Sequence, residues 1–342
     1  MTALMTSQTP AEIHVLCIGN AIVDVLSQTE DAFLAHEGLV KGSMNLIDAE
    51  RARTLYDRMG PATEISGGSA GNTSVGVTSL GGRAAFIGKV ADDQLGDIFA
   101  HDLRSTGVTF DVARLTGAEP TARSMILITP DGERTMNTHL GACVALGPGD
   151  VDEALVARSA ITYFEGYLWD PPHAKEAFRL AARIAHAHGR KVAISLSDSF
   201  CVERWRPEFL GLLRDGTVDI LLANEAEALA LYETDDLAVA TARLAEDCPL
   251  SVVTLGRRGA IAITPGGIEE AASHPVDKVV DRTGAGDLFA AGFLFGVATE
   301  RSLTDAIRLG NVSAAEVITH VGARPQTPLA SLVAEDEARR AA

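Results

Sequence analysis

The residues best suited to chemistry lie late in the chain, where the turn Gly284-Ala285-Gly286-Asp287 runs directly into the apolar stretch Leu288-Phe289-Ala290-Ala291. Such a junction reads as a helix start. Backbone N–H groups at a helix start lack intrahelical partners, and the helix dipole adds positive potential there. Gly284, Ala285 and Gly286 therefore make an anion hole for a phosphoryl group in flight. Larger side chains would obstruct close approach. The Asp287 carboxylate stands beside this pocket, placed to accept the proton of an attacking hydroxyl. A carboxylate also stabilises a helix start without any catalysis, so the turn alone leaves both roles open.

A second glycine-rich segment, Ser66-Gly67-Gly68-Ser69-Ala70-Gly71-Asn72, also leads into a helix with small residues on one face. It lacks a Walker Gly-Lys-Ser/Thr ending and follows no convincing buried strand, which argues against a dinucleotide fingerprint. Its backbone can approach a ligand. Asn72 offers donors and acceptors to neighbouring hydroxyls, or serves only as a turn or cap residue.

These turns need a scaffold. Short apolar runs such as Ile13-His-Val-Leu-Cys-Ile18, Val192-Ala-Ile-Ser195 and Val252-Val-Thr-Leu255 have the length of strands buried on both faces. Between them lie helical patterns, as over 174–188, where Ala177, Leu180, Ala181, Ile184 and Ala185 recur at helical spacing. Alternation of this kind predicts a mainly parallel sheet covered on both faces. Residues 25–48 and 108–138 break it with turn residues and a hairpin signal at Pro130-Asp-Gly132, and read as strands of a small β lid. The expected division is a core of 13–24, 49–107 and 139–330, a discontinuous lid of 25–48 and 108–138, and flexible tails at 1–12 and 331–342.

Composition limits the partners. Among 342 residues, 46 Asp and Glu outweigh 29 Lys and Arg, giving a net charge of -17 that repels nucleic acid and anionic lipid. A local cationic cleft for a small anion is not excluded by that average. Cys17, Cys143, Cys201 and Cys248 show neither a CxxC pair nor a disulfide spacing and read as reduced core thiols. The first dozen residues lack the basic start and apolar core of a secretory signal, and no apolar run approaches the ~20 residues that span a bilayer. A cytoplasmic location without membrane contact is the expectation.

Taken together, the glycine-rich segments resemble the ribokinase-like, or PfkB, family of carbohydrate and nucleoside kinases. The resemblance runs from about Val15 to Pro328 and keeps the family order. Gly-Gly-x-x-x-Asn comes first, then Phe86-Ile-Gly-Lys-Val-Ala-Asp-Asp, then Asn224-Glu-Ala-Glu227, then Thr254-Leu-Gly-Arg-Arg-Gly259, and last the Asp-x-Thr-Gly-Ala-Gly-Asp turn. It implies an α/β fold with a ribokinase-like three-layer α/β/α core, a mainly parallel sheet and a small β-sheet lid. It further implies ATP as phosphoryl donor and Mg²⁺, with Glu227 holding the metal through water and Asn224 near the phosphates. Thr254 and Gly256 would lie along the ATP, and Gly259 would serve backbone shape. Members often carry a monovalent-cation site, and Asp281, Thr283 and the 322–326 region match its position, so K⁺ activation is a further expectation.

The resemblance also places Asn20 and Asp24, with Gly68 and Asn72, where acceptor hydroxyls bind. A carboxylate accepting from two adjacent hydroxyls reads a sugar diol well. Gly19-Asn20 and the stretch Val192-Ala-Ile-Ser-Leu-Ser-Asp-Ser-Phe200 lean toward adenosine kinase-like members. Met44, Leu46 and Ile47 are candidates for an apolar wall against a purine, Asn45 for its polar contact and Tyr167 for stacking. Lid packing explains the same residues, and a free sugar remains the alternative acceptor. Lys41, Lys89 and Arg134 raise a phosphorylated sugar, while Arg134 has the further option of reaching the transferred phosphate. A non-catalytic, ligand-sensing member would be expected to lose Asp287 or the Asn-x-x-Glu residues, and neither is lost. Monomer and homodimer both stay open.

Overall fold

A computed structural model describes residues 11–117 and 119–341. The segment expected as an N-terminal tail lies almost wholly outside them. Thirteen strands among the described residues form two sheets. They are β1 (Ile13–Ile18), β2 (Ile22–Gln28), β3 (Met44–Leu46), β4 (Ala62–Ser66), β5 (Ala84–Ile87), β6 (Ala122–Ile128), β7 (Arg134–His139), β8 (Ser159–Glu165), β9 (Lys191–Ser195), β10 (Ile220–Asn224), β11 (Leu250–Thr254), β12 (Ala260–Thr264) and β13 (Gly267–Ala271).

The larger sheet has eight strands in the order β13-β12-β11-β10-β9-β8-β1-β5. Six of them, from β11 to β5, run parallel, and β12 and β13 close one edge antiparallel. Successive residues of one strand enter opposite cores, which is the signature of a sheet covered on both faces. Leu16 and Ile18 join one hydrophobic cluster with Phe164 and Phe178, whereas Val15 and Cys17 join the other with Phe86 and Phe293. This is the expected three-layer arrangement.

The second sheet has five strands, ordered β3-β7-β6-β2-β4. It takes more chain than the lid segments marked out by sequence. β2 starts at Ile22, β4 comes from the stretch given to the core, and the helix Ala49–Arg58 packs Ala52 and Leu55 against Met125 and Leu127 on its outer face. Ala62-Thr-Glu-Ile-Ser66 carries too little apolar alternation to announce a strand. Residues 109 and 115 instead bridge to Ala85 and Ala91, beside the large sheet. The C-terminal segment is not a loose tail either. Leu329–Ala341 is a helix whose Leu329 and Val333 are buried against Leu309 and Val312.

One contact fixes where the Gly284-Ala285-Gly286-Asp287 turn points. The helix Ala285–Ala298 lies so close to the helix Leu303–Val317 that a Cβ on Gly292 would overlap the Leu309 carbonyl, and one on Gly296 would come within 2.7 Å of Ala306. Gly292→Ala is therefore expected to destabilise by about 1–3 kcal/mol, because overpacking against backbone outweighs a helix-propensity gain of about 1 kcal/mol. Urea unfolding at fixed pH checks this, and an unchanged or raised midpoint would contradict the close-packing account.

Candidate active site

Ligand crevices in parallel α/β sheets form beyond the carboxyl ends of the strands. Here that edge is organised by Glu165, the last residue of β8, which is 1% exposed. Its Oε1 accepts from the Asn20 backbone N–H at 2.8 Å and from Asn20 Nδ2 at 2.6 Å, and its Oε2 accepts from the Ala70 N–H at 2.8 Å. One carboxylate thus ties together the end of β8, the turn after β1 and the start of the helix Ser69–Ser79. Burial raises its pKa to about 7, with the three donated hydrogen bonds opposing the rise. The turn needs small residues: a Cβ at Gly19 would sit 2.6 Å from Glu165 Oε2, and Gly68, at φ +81°, has no room for one against the Asn20 carbonyl.

Two helix N-termini meet at this edge. Asp287 is the third residue of the helix Ala285–Ala298, and its Oδ1 and Oδ2 accept from Ser69 Oγ at 2.7 Å and Asn72 Nδ2 at 2.8 Å. Thr73 Oγ1 donates to the Asp287 carbonyl at 3.1 Å. Burial raises the Asp287 pKa, opposed by the Asn72 and Ser69 bonds and by the Arg324 guanidinium. Asn72 is 5% exposed, and its Oδ1 has no partner among the described residues.

The turn expected to form an anion hole differs in detail from the expectation. The Ala285 N–H donates back to the Arg282 carbonyl at 3.2 Å, whereas the N–H groups of Gly284, Gly286 and Asp287 have no partner among the described residues. The two glycines do different work. Gly284 adopts φ +79° and packs against Ala323, while a Cβ at Gly286 would meet nothing within 4 Å. Gly286 leaves space; Gly284 makes the turn.

The second sheet presents one face to this point. Strand register puts Asp24, Ser124, Thr138 and Leu46 in one row, and Leu26, Ile126, Met136 and Met44 in the next. Arg134 shares that face, two residues before Met136. Asp24 has no side-chain hydrogen bond among the described residues. Burial raises it to about 7 against the pull of Arg324 and Arg134, and Asp287 is near enough to push it the same way as burial. Asn45 and Ile47 point the other way: Asn45 pairs with Asn137 in the row of Met125, and Ile47 packs on the Leu34 and Leu55 cluster. Strand alternation separates them from Met44 and Leu46. Tyr167 lies beyond Glu165, partly exposed, with its hydroxyl donating to the Ser197 carbonyl at 3.3 Å. Lys41 is paired with Asp31 and Asp131, and Lys89 with Asp150, so neither stands free for a substrate phosphate.

Asp281 and Thr283 lie just before this turn. Asp281 Oδ1 accepts from the Thr283 N–H at 3.0 Å and from Thr283 Oγ1 at 2.8 Å; Oδ2 accepts from the Gly322 N–H at 2.9 Å and forms an ion pair with Arg134. On the far side of the turn is a cavity of about 360 Å³ lined by Thr254, Gly256, Gly259, Val279, Gly286 and Ile318 among others. Gly259, at φ +93°, is held against the Ala271 carbonyl and serves backbone shape. A larger groove of about 600 Å³ adjoins it across Ser273, His274 and Asn311, but its arginines Arg258, Arg308 and Arg340 are already ion-paired. The smaller cavity is the one that opens on the turn.

Asn224 and Glu227 form a capping box on the helix Glu225–Tyr232. Asn224 N donates to Glu227 Oε2 at 2.9 Å, Asn224 Nδ2 to Oε1 at 2.6 Å, and Glu227 N to Asn224 Oδ1 at 2.9 Å. Burial raises Glu227 to about 7, and nearby Asp198 adds to the rise. No cation among the described residues pairs with either acid.

Three further residues belong to the site and were not singled out from sequence: Ser69, Glu165 and Arg324. Arg324 is half-buried between carbonyls, donating to Ser66 O at 2.9 Å and to Gly71 O at 3.0 Å. Burial lowers its pKa to about 10, while Asp24, Asp102 and Asp287 hold it up. An acid directly after the apolar run Ile161-Thr-Tyr-Phe164 was the available signal for Glu165.

Comparison with known proteins gives the family. The family described as pfkB family carbohydrate kinase matches residues 38–330. The solved adenosine kinase of Sinorhizobium meliloti is 58% identical, with a TM-score of 0.88 over 98% of this chain and 100% of that one. A solved probable sugar kinase of Rhizobium etli CFN 42 is 54% identical, with a TM-score of 0.90 over 96% and 99%. A fructokinase of Klebsiella pneumoniae is 31% identical across 71% of this chain and 80% of its own.

Glu165 has a thermodynamic signature. Its folded pKa of about 7 exceeds the ordinary 4.5, so the folded state binds the proton more tightly, and its contribution to stability is complete at low pH and lost as pH rises through about 7. Glu165→Gln cannot accept from both Asn20 and Ala70 without setting one amide against another. It should lose about 1–3 kcal/mol at pH 8, where Glu165 is ionised and accepts at both oxygens. Melting curves from pH 5 to 8 should be flatter for the variant than for the unaltered protein; parallel curves would rule out this role.

Proposed function

Because the chain belongs to the pfkB family of carbohydrate kinases and is a phosphotransferase with an alcohol acceptor, we propose that it moves the γ-phosphoryl group of ATP to the 5′-hydroxyl of a nucleoside, adenosine in the first place. The observation that carries this reading is the Asp287 carboxylate, half-buried between the donor-side cavity and Asp24, beside the open N–H groups of Gly286 and its own backbone.

In this reading the acceptor hydroxyl gives its proton to Asp287 as its oxygen attacks the γ-phosphorus, and ADP leaves through the cavity lined by Thr254 and Gly256. Burial makes Asp287 a stronger base than a surface aspartate, and Ser69 and Asn72 hold its oxygens in place. The open N–H groups of the turn offset the negative charge developing on the transferred group, and Arg134, paired with Asp281, holds the loop that precedes them. Asp24 accepts from the two ribose hydroxyls, Asn72 Oδ1 takes a further donor, and Gly68 lets the sugar approach the backbone. Asn20 acts by holding the adjoining turn against Glu165.

Glu227 fits a hydrated Mg²⁺, since it is a buried acid near Asp198 with no cationic partner among the described residues. Bound there with ATP, the ion would supply positive charge against that of the phosphates. Glu227 and Asn224 would orient its water shell.

The roof above Asp24 supports a nucleoside over a bare sugar. Leu26, Met44, Leu46 and Met136 share its face, with Met44 48% and Leu46 56% exposed, which is apolar surface of the kind a base covers. A sugar kinase remains the second reading, favoured by the Rhizobium etli relative. No helix among the described residues is long and apolar enough to cross a membrane. The four cysteines are buried and unpaired, in keeping with a reducing cytoplasm, and we place the protein there as a monomer or homodimer.

Asp287→Asn should lower kcat by about 10²–10⁴-fold with ADP affinity nearly unchanged. Unaltered turnover in that variant would remove Asp287 as the base. Because the active form is the ionised one, kcat of the unaltered enzyme should fall as pH drops through the raised Asp287 pKa. An ADP-release assay over adenosine, inosine, ribose and fructose tests the acceptor. Met136→Ser should raise KM for the nucleoside about tenfold while sparing KM for ATP; turnover of fructose but of no nucleoside would favour the second reading.

A further inference from the structure

A monovalent cation near Asp281 is the least well accommodated of the groups that the sequence suggests. Each Asp281 oxygen already has two partners: Thr283 N and Oγ1 on Oδ1, the Gly322 N–H and the Arg134 guanidinium on Oδ2. Arg134 Nη1 also donates to Thr283 Oγ1 at 3.0 Å. The Arg134 and Asp281 side chains are only 10% and 8% exposed, so this is a buried, neutralised pair rather than a screened surface contact. A potassium ion binding this carboxylate would have to displace an N–H donor or a fixed positive charge.

The charge reaches that place from the other sheet. Arg134 opens β7, whereas Asp281 and Thr283 precede the turn that supplies the open N–H groups, and Gly322 belongs to the loop that carries Arg324. We propose that Arg134 is the built-in monovalent cation of the anion-hole loop. Its guanidinium takes the place of a free potassium ion at Asp281, so the order of the 281–287 turn depends on the second sheet being seated and not on potassium. This rests on reading the turn as a phosphate site. Arg134 acts here as a positioning residue, through Asp281 and Thr283.

The test uses the full chain without turnover. Thermal unfolding and calorimetric ADP binding are measured in KCl, NaCl and choline chloride at equal ionic strength. The unaltered protein should give the same melting temperature and ADP affinity in all three. Arg134→Met should bind ADP about fivefold or more weakly in choline, and KCl should restore part of that loss. Tighter ADP binding by the unaltered protein in KCl alone would overturn the proposal, as would an Arg134→Met variant with unchanged affinity or with no response to KCl. Should that variant fail to fold, the salt comparison on the unaltered protein decides by itself. Binding of ADP without turnover of any alcohol would count against the kinase reading and leave this one standing.

Discussion

A carboxylate that leaves water must find donors or stay protonated, and this molecule places several of them at one edge of its large sheet. Glu165 shows what that demands. Three N–H donors from two distant segments converge on its two oxygens, and they can do so only if the turn after β1 and the start of the Ser69 helix come within hydrogen-bond reach of the end of β8. Asp287 imposes the same condition from the other side, drawing Ser69 and Asn72 of that helix to the start of the Ala285 helix. Two acids therefore define the relative position of one strand end, one turn and two helix starts. The packing that lets them meet is close enough to require glycine at positions 19, 68 and 292.

The charge balance of the cleft differs from that of the whole chain. With a net charge of -17 the surface field is repulsive to phosphate, yet two guanidinium groups, Arg324 and Arg134, are partly buried where the phosphate is proposed to transfer. Each costs desolvation, and each is compensated differently. Arg324 is held mainly by the carbonyls of Ser66 and Gly71, so its charge remains available to Asp24 and Asp287. Arg134 is neutralised directly by Asp281. One guanidinium adjusts the acids Asp24 and Asp287, and the other holds the loop that leads into Gly284.

Much of this was legible in the sequence where the signal is local. A glycine turn entering an apolar helix is a contiguous pattern, so Gly284, Gly286 and Asp287 could be read as one unit, and the buried parallel strands showed in their length and apolarity. Partnerships across long separations were not legible. Glu165 and Asn20 are 145 residues apart, and nothing in either neighbourhood names the other. Local detail could also mislead: that Ala285 spends its N–H on Arg282 depends on the tightness of the turn, which residue types do not encode. Asn45 was grouped with Met44 and Leu46 because they are adjacent in the chain, although a strand sends neighbours to opposite faces. β4 escaped notice because its sequence is polar, and its place is set by pairing with β2.

That alternation is also what makes the second sheet part of the site. Asp24 on β2 and Arg134 on β7 face the large sheet because β6 holds both in register, Asp24 opposite Ser124 and Arg134 opposite Ile128. A slip of one residue in β7 would turn Arg134 toward the cluster of Leu34, Leu55 and Met125, and would bring Thr135 and Asn137 to the cleft. The same slip would expose that core and bury an unpaired charge, so the apolar outer face disfavours it strongly. The helix Ala49–Arg58, far from any chemistry, thus sets the side on which Arg134 emerges. Hydrophobic burial on one face of a strand fixes the electrostatics on the other.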